Sequence, residues 1–224
     1  MREALTMTRS LLTLVALVLT ACDDSHDAPP LDSHPHPAGL TVFLGDSLTS
    51  SWDVVPPDGQ KLRDLVPGEI NAGAVGQASI DMLERLQHDV LDKHPARVVI
   101  LAGTNDVGDF LDGGPAIEYG PVIDMILRLQ AGGVRVILCT IPPLGNGLHD
   151  YGSAGPLEVA QWNVTVKAIA RAYGVAVVDY WSAMTLPDGE QITGDFVFDG
   201  IHPDAAGYAA MWKALKPLLS ESGS

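Results

Sequence analysis

The sequence predicts an α/β domain built as a three-layer sandwich, with helices on both faces of a parallel sheet. Two observations lead to this fold class. From residue 40 onward, short runs of β-branched and aliphatic residues alternate with longer stretches whose apolar residues recur at helical spacing. The short runs are apolar throughout, which is typical of strands buried on both faces. Right-handed crossovers between such strands place helices on both sides of the sheet.

Five strands are predicted from the apolar runs. The first run ends at Gly45, and Pro142-Pro143 stops the fourth because proline has no N–H to donate to a ladder. In chain order, the predicted strands cover residues 41–44, 69–72, 97–101, 134–141 and 175–178.

Four helices are predicted between or after these strands. In the first, Ile80, Leu83 and Leu86 recur at intervals of three residues and form one apolar face. Gly132-Gly133 ends the second, as glycine commonly does at a helix C-terminus. In chain order, the predicted helices cover residues 80–91, 121–130, 157–173 and 205–219.

The net charge limits the classes of partner. The chain carries 28 acidic and 13 basic residues, for a formal charge of −15. A surface of this sign repels phosphate backbones and anionic lipid headgroups. We therefore expect no nucleic-acid partner, and any attachment to a membrane must come from something other than a basic patch.

Residues 1–21 have the layout of a bacterial signal peptide. Arg2 and Arg9 precede an apolar run at residues 11–19, which is too short to span a bilayer permanently. Residues 19–22 (LTAC) resemble a lipobox, which makes Cys22 the predicted lipidation site. An ordinary secretory signal with a chance cysteine is the alternative, and Met1 or Met7 could be the true start.

Residues 22–39 are predicted to be a lipid-anchored tether, because they are polar and rich in proline with little to bury. The globular domain is then expected over residues 40–220. If Cys22 carries lipid, the other cysteine, Cys139, is a lone thiol in an apolar run and no disulfide forms. Asp23-Asp24 resembles the signal that keeps lipoproteins in the inner membrane of some Gram-negative bacteria. We therefore expect a location in the cell envelope, on the periplasmic side of the inner membrane if the source is Gram-negative.

Unusual polar residues follow three of the predicted strands. Asp46 and Ser47 come after the first strand, Gly76 after the second, and Asn105 after the third. Ligands bind beyond the carboxyl ends of the strands in open α/β sheets, so these residues are expected to share one site. A catalytic serine needs a base that is itself oriented by a third group. Asp199 and His202, three residues apart near the other end of the chain, could supply both.

An ester carbonyl under attack becomes an oxyanion, which needs preorganised donors. The backbone N–H groups of Ser47 and Gly76, with the side-chain amide of Asn105, are placed to supply them. Asp46 and Asp106 neighbour these residues and are predicted to bond loop backbone rather than take part in chemistry.

Four segments resemble the blocks of SGNH (GDSL-like) hydrolases, in the order in which that family has them. They are GDSLT at 45–49, Gly76 within NAGAVGQAS at 71–79, GTND at 103–106 and DGIHP at 199–203. The resemblance implies a flavodoxin-like sheet of order 2-1-3-4-5. It implies Ser47 as nucleophile, a triad completed by Asp199 and His202, and an oxyanion hole of Ser47, Gly76 and Asn105. It also implies that neither a metal nor an organic cofactor takes part.

The predicted function is carboxylic-ester hydrolysis through an acyl-serine intermediate. The substrate is expected to be a small acyl ester (an acetylated glycan, an aryl ester or a lipid ester), and the protein a monomer. Transfer of an acyl group to an envelope glycan or lipid is one alternative. A non-catalytic envelope lipoprotein that binds glycan or peptide is another, although a binding module has no need of the full catalytic set.

Two features concern the walls of the site. Many relatives have a glycine soon after the first block, whereas this chain has Trp52, which is expected to narrow one wall. The Gly-rich loop at residues 144–156 is a candidate lid, on which His149 and Tyr151 are candidate substrate contacts.

Overall fold

The predicted strands form one parallel sheet in a computed structural model, which describes residues 39–54, 61–144, 154–186 and 199–220. The strands lie in the order β2-β1-β3-β4-β5, as the resemblance implies. Their bounds are Thr41–Gly45 (β1), Glu69–Gly73 (β2), Arg97–Leu101 (β3), Arg135–Cys139 (β4) and Ala176–Val178 (β5). Helices flank this sheet, so the predicted fold class is confirmed.

The register of the three neighbouring strands β2, β1 and β3 brings their carboxyl ends to one line. Gly45 at the end of β1 pairs with Gly73 of β2 on one side and with Leu101 of β3 on the other. All five residues of β1 are buried, because this strand lies inside the sheet and has helices over both faces. Polar residues that follow these three strands therefore emerge at the same edge.

Eight α-helices lie within the described residues. They are Ser47–Ser50 (α1), Leu62–Leu65 (α2), Ser79–Asp89 (α3), Thr104–Leu111 (α4), Gly120–Ala131 (α5), Ala154–Tyr173 (α6), Tyr180–Ala183 (α7) and Ala205–Ser220 (α8). Helix α3 packs against α5, and α4 packs against α6. The four longest helices are those expected from the sequence; α1, α2, α4 and α7 were not predicted.

The predicted bounds differ from the structure at a few positions. The helix predicted over 80–91 ends at Asp89 and continues as a separate 3-10 turn at Leu91–Lys93. Helix α6 begins three residues earlier than predicted, with Pro156 in its first turn, where a missing N–H costs nothing. The strand predicted over 134–141 is shorter at both ends. The N–H of Val134 bonds the carbonyl of Leu129, and the N–H of Ile141 bonds the side chain of Asn163, so neither is available to a ladder partner.

The core contains two tryptophans and the thiol of Cys139. Trp162 and Trp52 are buried, at 0% and 2% exposure, and Trp181 and Trp212 pack partly buried against the same cluster. Cys139 is a free, buried cysteine as predicted, and burial raises its pKa to about 12. None of the helices in the described ranges is long and apolar enough to cross a membrane. Cys22 and the tether, and His149 with Tyr151, lie outside the described residues.

Candidate active site

Ser47 lies at the carboxyl end of β1, as the first residue of α1. Asp46 caps this helix, since its Oδ1 accepts the N–H of Leu48 at 2.9 Å. The turn is tight: a Cβ at Gly45 would overlap the Thr49 side chain, and one at Gly73 would overlap the backbone of Ser50. Only glycines at the ends of β1 and β2 therefore allow α1 to pack this closely against the edge of the sheet.

A line of hydrogen bonds joins Ser47 to two residues from the far end of the chain. Ser47 Oγ lies 2.8 Å from Nε2 of His202. The other ring nitrogen of His202, Nδ1, lies 2.8 Å from Oδ2 of Asp199. The structure therefore brings the three residues together in the order serine, histidine, aspartate, although 155 positions separate Ser47 from His202.

The loop that carries Asp199 and His202 is shaped by the carboxylate itself. Oδ1 of Asp199 accepts the backbone N–H groups of Ile201 and His202, each at 2.9 Å. This leaves Oδ2 for the imidazole, so one carboxylate both folds the loop and orients the ring. Burial alone would raise the pKa of Asp199, but the two N–H groups and the His202 side chain together hold it below its ordinary value.

Gly76 and Asn105 lie at the same edge, beyond β2 and β3. Gly76 has φ +75°, a conformation that favours glycine, and its N–H has no acceptor among the described residues. Asn105 lies in the first turn of α4, and its Nδ2 donates to the carbonyl of Gln77 at 2.9 Å. An amide nitrogen carries two hydrogens, so this bond orients the side chain and leaves one N–H for another acceptor.

Helix α4 owes its position to an unusual contact. Gly103, its N-cap, has φ +120°, and a Cβ there would overlap the buried ring of Trp162. The close approach of α4 to α6 therefore requires glycine at this position, and it brings Asn105 directly to the end of β3.

Both aspartates beside the site bond loop backbone, as predicted. Asp46 accepts from Leu48, and Asp106 accepts the N–H of Ser79 at 2.9 Å together with the Ser79 hydroxyl. Asp106 thereby fixes the start of α3, which follows the loop carrying Gly76. Burial raises the pKa of both carboxyl groups, that of Asp46 to about 6.

The prediction for Trp52 was wrong. Its side chain is 2% exposed and does not form a wall of an open site. The ring instead packs at 5.2 Å from the Tyr208 ring and 6.3 Å from the Phe43 ring. Residues 51–53 form a 3-10 turn after α1, and Trp52 within this turn is buried in the core.

Three residues that support the site were not found from the sequence. Tyr208 of α8 donates its hydroxyl to the carbonyl of Leu48 at 2.8 Å. Asn71 of β2 donates to the carbonyl of Thr49 and accepts the N–H of Gly73, both at 3.0 Å. Arg85 of α3 binds the ends of β1 and β2. For each of the three, the sequence shows only a side chain with a polar group within a predicted strand or helix, and nothing that identifies its partner.

Within the described residues, no group of three or more His, Cys, Asp or Glu side chains could hold a metal ion. The groups gathered at the edge of the sheet are a hydroxyl, an imidazole, a carboxylate, an amide and backbone N–H groups. This set suits proton transfer and the binding of a developing oxyanion.

A family model matches residues 43–210, about three quarters of the chain, and is described as the GDSL-like Lipase/Acylhydrolase family. The chain belongs to this family. All four blocks on which the resemblance depends lie within the matched residues. This GDSL-like protein is accordingly a hydrolase that acts on ester bonds.

Three relatives place the GDSL-like protein more closely. It is 28% identical to the uncharacterized lipoprotein YqeF of Bacillus subtilis (strain 168) over 183 residues, which are 69% of this chain and 75% of the relative. It is 26% identical to the esterase TesA of Pseudomonas aeruginosa over 196 residues, 81% of this chain and 90% of the relative. A GDSL-like lipase of Bacteroides thetaiotaomicron has the same fold, with a TM-score of 0.70 and 26% identity over 87% of this chain and 92% of that one.

Proposed function

We propose that this protein is a serine-dependent carboxylic-ester hydrolase in which Ser47, His202 and Asp199 act as a triad. The observation that carries the proposal is the unbroken line from Ser47 Oγ through both ring nitrogens of His202 to Asp199, with 2.8 Å at each step. These distances are within the reach that proton transfer requires. The line lies at the carboxyl edge of the sheet, where ligands bind in this class of fold.

In the proposed reaction, Ser47 Oγ attacks the ester carbonyl carbon while His202 Nε2 takes the hydroxyl proton. Asp199 accepts the Nδ1–H bond and stabilises the imidazolium that forms. His202 then returns the proton to the leaving alkoxide, so the alcohol departs and the acyl group remains on Ser47. A water molecule attacks the acyl-serine in the same way, with His202 as base again, and releases the acid and free Ser47.

The electrostatics of Asp199 support this assignment. Its pKa lies below the ordinary value because the N–H groups of Ile201 and His202 and the imidazole together outweigh burial. The carboxylate therefore stays ionised across the neutral range, as a group that stabilises an imidazolium must.

We assign the oxyanion site to the N–H groups of Ser47 and Gly76 and to the second amide hydrogen of Asn105. The N–H of Gly76 has no competing acceptor among the described residues, and the bond from Asn105 to the Gln77 carbonyl limits rotation of the amide. Donors held in place before the reaction need no reorganisation when charge develops on the carbonyl oxygen.

The test is a series of p-nitrophenyl esters from acetate to palmitate, hydrolysed by the full chain purified in detergent. Ser47→Ala is expected to lower kcat by about 10⁴-fold or more, since the nucleophile is lost. Ser182→Ala is the matched control, because Ser182 of α7 donates its hydroxyl to Asp179 after β5 and is not part of the proposed triad. The chain length with the highest kcat/KM then identifies the acyl group that the site accepts.

A fluorophosphonate that labels serine nucleophiles provides an independent readout. It is expected to label the parent protein and the Ser182→Ala variant but not the Ser47→Ala variant. Ester hydrolysis that persists in Ser47→Ala at the parent rate would show that the proposed mechanism is wrong.

We further propose that residues 1–21 are a signal peptide, that residues 22–39 form a tether lipidated at Cys22, and that the hydrolase domain covers residues 40–220. The likeness to a lipoprotein of Bacillus subtilis supports an anchored location in the cell envelope. Cys22→Ser is expected to abolish incorporation of radiolabelled palmitate and partition into a detergent phase. Cys139→Ala, which alters the buried thiol, is the control and should leave both unchanged. Partition into the detergent phase by Cys22→Ser would instead favour another mode of attachment.

A further inference from the structure

Arg85 of α3 binds three separate segments that surround the proposed oxyanion site. Its Nη2 donates to the carbonyl of Gly45 at 2.9 Å, and its Nη1 donates to the carbonyl of Ala72 at 2.7 Å. Its Nε donates to the side-chain oxygen of Gln77 at 2.5 Å. The guanidinium therefore joins the end of β1, the end of β2 and the loop that follows β2.

These bonds hold the loop between β2 and α3 at both of its ends. Ala72 lies just before the loop and Gln77 close to its end, and Gly76 lies between them. The backbone carbonyl of Gln77 in turn accepts the amide of Asn105 at 2.9 Å. On the other side, Gly45 lies two residues before Ser47 and also accepts the N–H of Ala74 at 3.0 Å. Each of the three proposed oxyanion donors is thus linked to Arg85 through a short series of covalent and hydrogen bonds.

The chemistry of the contact suits arginine and no other residue. A guanidinium carries five N–H groups in a rigid plane, so it can bind acceptors on three sides at fixed angles. A lysine ammonium is a single point at the end of a flexible chain and cannot span the same acceptors. The Arg85 side chain is only 15% exposed, and Asp89 at 2.9 Å balances its charge. A buried charge held by four acceptors indicates a position at which geometry is maintained at some cost in desolvation.

We propose that Arg85, acting through Gln77, is a positioning residue that sets the distance between the N–H of Gly76, the amide of Asn105 and Ser47. The proposal rests on the proposed function and adds to it a second layer that holds the oxyanion donors. Neither Arg85 nor Gln77 touches the substrate in this assignment.

A positioning role and a merely structural role differ in which kinetic constant they change. Oxyanion donors act on charge that develops in the transition state, so their displacement lowers kcat and leaves KM nearly unchanged. A structural contact that only stabilises the fold changes the fraction of active molecules, and the kcat of each active molecule stays the same. Titration of the reactive serine with the fluorophosphonate counts those molecules and separates the two effects.

The test compares Gln77→Ala with Gln87→Ala in the full chain, assayed on p-nitrophenyl acetate. The side chain of Gln77 accepts a hydrogen bond from Arg85. Gln87, which lies on the same helix as Arg85, donates to Asp92 at the surface instead. Gln77→Ala is expected to lower kcat per titrated serine by about 10- to 100-fold, since a small displacement of catalytic groups has effects of this size. Its KM should stay within about twofold, and Gln87→Ala should match the parent protein.

Arg85→Lys tests the other partner and the coupling between the two. It is expected to lower kcat per titrated serine at least as much as Gln77→Ala does. Adding Gln77→Ala to Arg85→Lys should then cost little more, because the bond to Gln77 that Gln77→Ala removes is already lost when Arg85 is replaced. The proposal is overturned if Gln77→Ala keeps the parent kcat per titrated serine, or if its effect is confined to KM. Failure of the proposed function is a separate outcome, in which Ser47→Ala remains active or the phosphonate labels nothing.

Discussion

Strands β1 and β5 end in the same local arrangement. Each is followed by an aspartate that caps a four-residue helix: Asp46 precedes α1 and Asp179 precedes α7. Asp46 accepts the N–H of Leu48 at 2.9 Å, and Asp179 accepts the N–H of Ser182 at 3.1 Å. The carboxyl ends of two strands in one parallel sheet are therefore followed by the same kind of helix cap, and only the end of β1 carries the proposed nucleophile.

The surroundings of the two carboxyl groups are opposite. Asp46 is fully buried, and its Oδ2 has no hydrogen-bond partner among the described residues. Burial raises its pKa to about 6, against the lowering effects of the Leu48 N–H, the nearby Thr104 hydroxyl and His202. Asp179 is about one third exposed and binds Lys167 Nζ and the Ser182 hydroxyl, both at 2.7 Å. Burial of Asp179 would raise its pKa, but Lys167 and Ser182 together lower it below the ordinary value.

The comparison shows that the capping aspartate sets the local backbone conformation, whereas the surroundings of its carboxyl group set the pKa of that group. At the end of β5 the carboxylate is fully satisfied and contributes an ordinary ion pair. At the end of β1 the Asp46 carboxyl group is fully buried and forms no ion pair with a described residue. Electrostatic interactions are stronger in such a buried position than at the surface. Such an environment favours the preorganised donors on which the proposed chemistry depends.

The largest expected effect that distinguishes the ends of β1 and β5 is the change that Asp46→Asn makes in the pH dependence of the free energy of unfolding. The pKa of Asp46 is raised in the folded state, from 3.8 to about 6, so folding takes up a proton between these values. The free energy of unfolding of the parent protein should therefore fall, relative to the variant, as the pH rises through this window. The total change is about 3 kcal/mol, because each pKa unit corresponds to about 1.4 kcal/mol.

Urea unfolding of both proteins at about pH 4 and pH 7 measures this difference. Asparagine keeps an oxygen for the Leu48 N–H and removes the charge, so the cap remains while the titration is lost. An equal difference in free energy of unfolding between the two proteins at both pH values would mean that Asp46 is ionised at both. Burial at the end of β1 would then not raise its pKa.

The comparison also separates what the sequence could predict from what it could not. The strand runs and the residues at their ends are local patterns, so the sheet and the positions of Ser47, Gly76 and Asn105 followed from them. Asp199 and His202 were predictable as a pair because a spacing of three lets one loop present both. That this pair serves Ser47 was inferred from the need of a catalytic serine for an oriented base, and the family resemblance implies the same triad. No local pattern connects positions 155 residues apart.

The residues that sequence reasoning missed or misplaced depend on long-range packing. Trp52 was expected at the wall of the site, but its burial depends on Tyr208, which lies on the last helix. Arg85 binds backbone carbonyls of β1 and β2, and a carbonyl has no signature in the sequence. Helix α4 was not predicted, because its start depends on Gly103 packing against Trp162, a contact between distant segments.

A smaller effect on the pH dependence of stability, with the opposite sign, is expected from Asp179→Asn at the end of β5. The folded-state pKa of Asp179 is lowered, so its carboxylate stabilises the fold above the ordinary value of 3.8, and this contribution is lost as the pH falls through the folded-state value. At neutral pH the variant should be less stable by about 1 kcal/mol, the upper end for a solvent-accessible ion pair. Lys167→Gln removes the other partner and should reproduce the loss. If the deficit of Asp179→Asn persists undiminished at about pH 3, it comes from altered hydrogen bonds at Oδ2 rather than from the lost charge. The electrostatic contrast between the ends of β1 and β5 then rests on Asp46 alone.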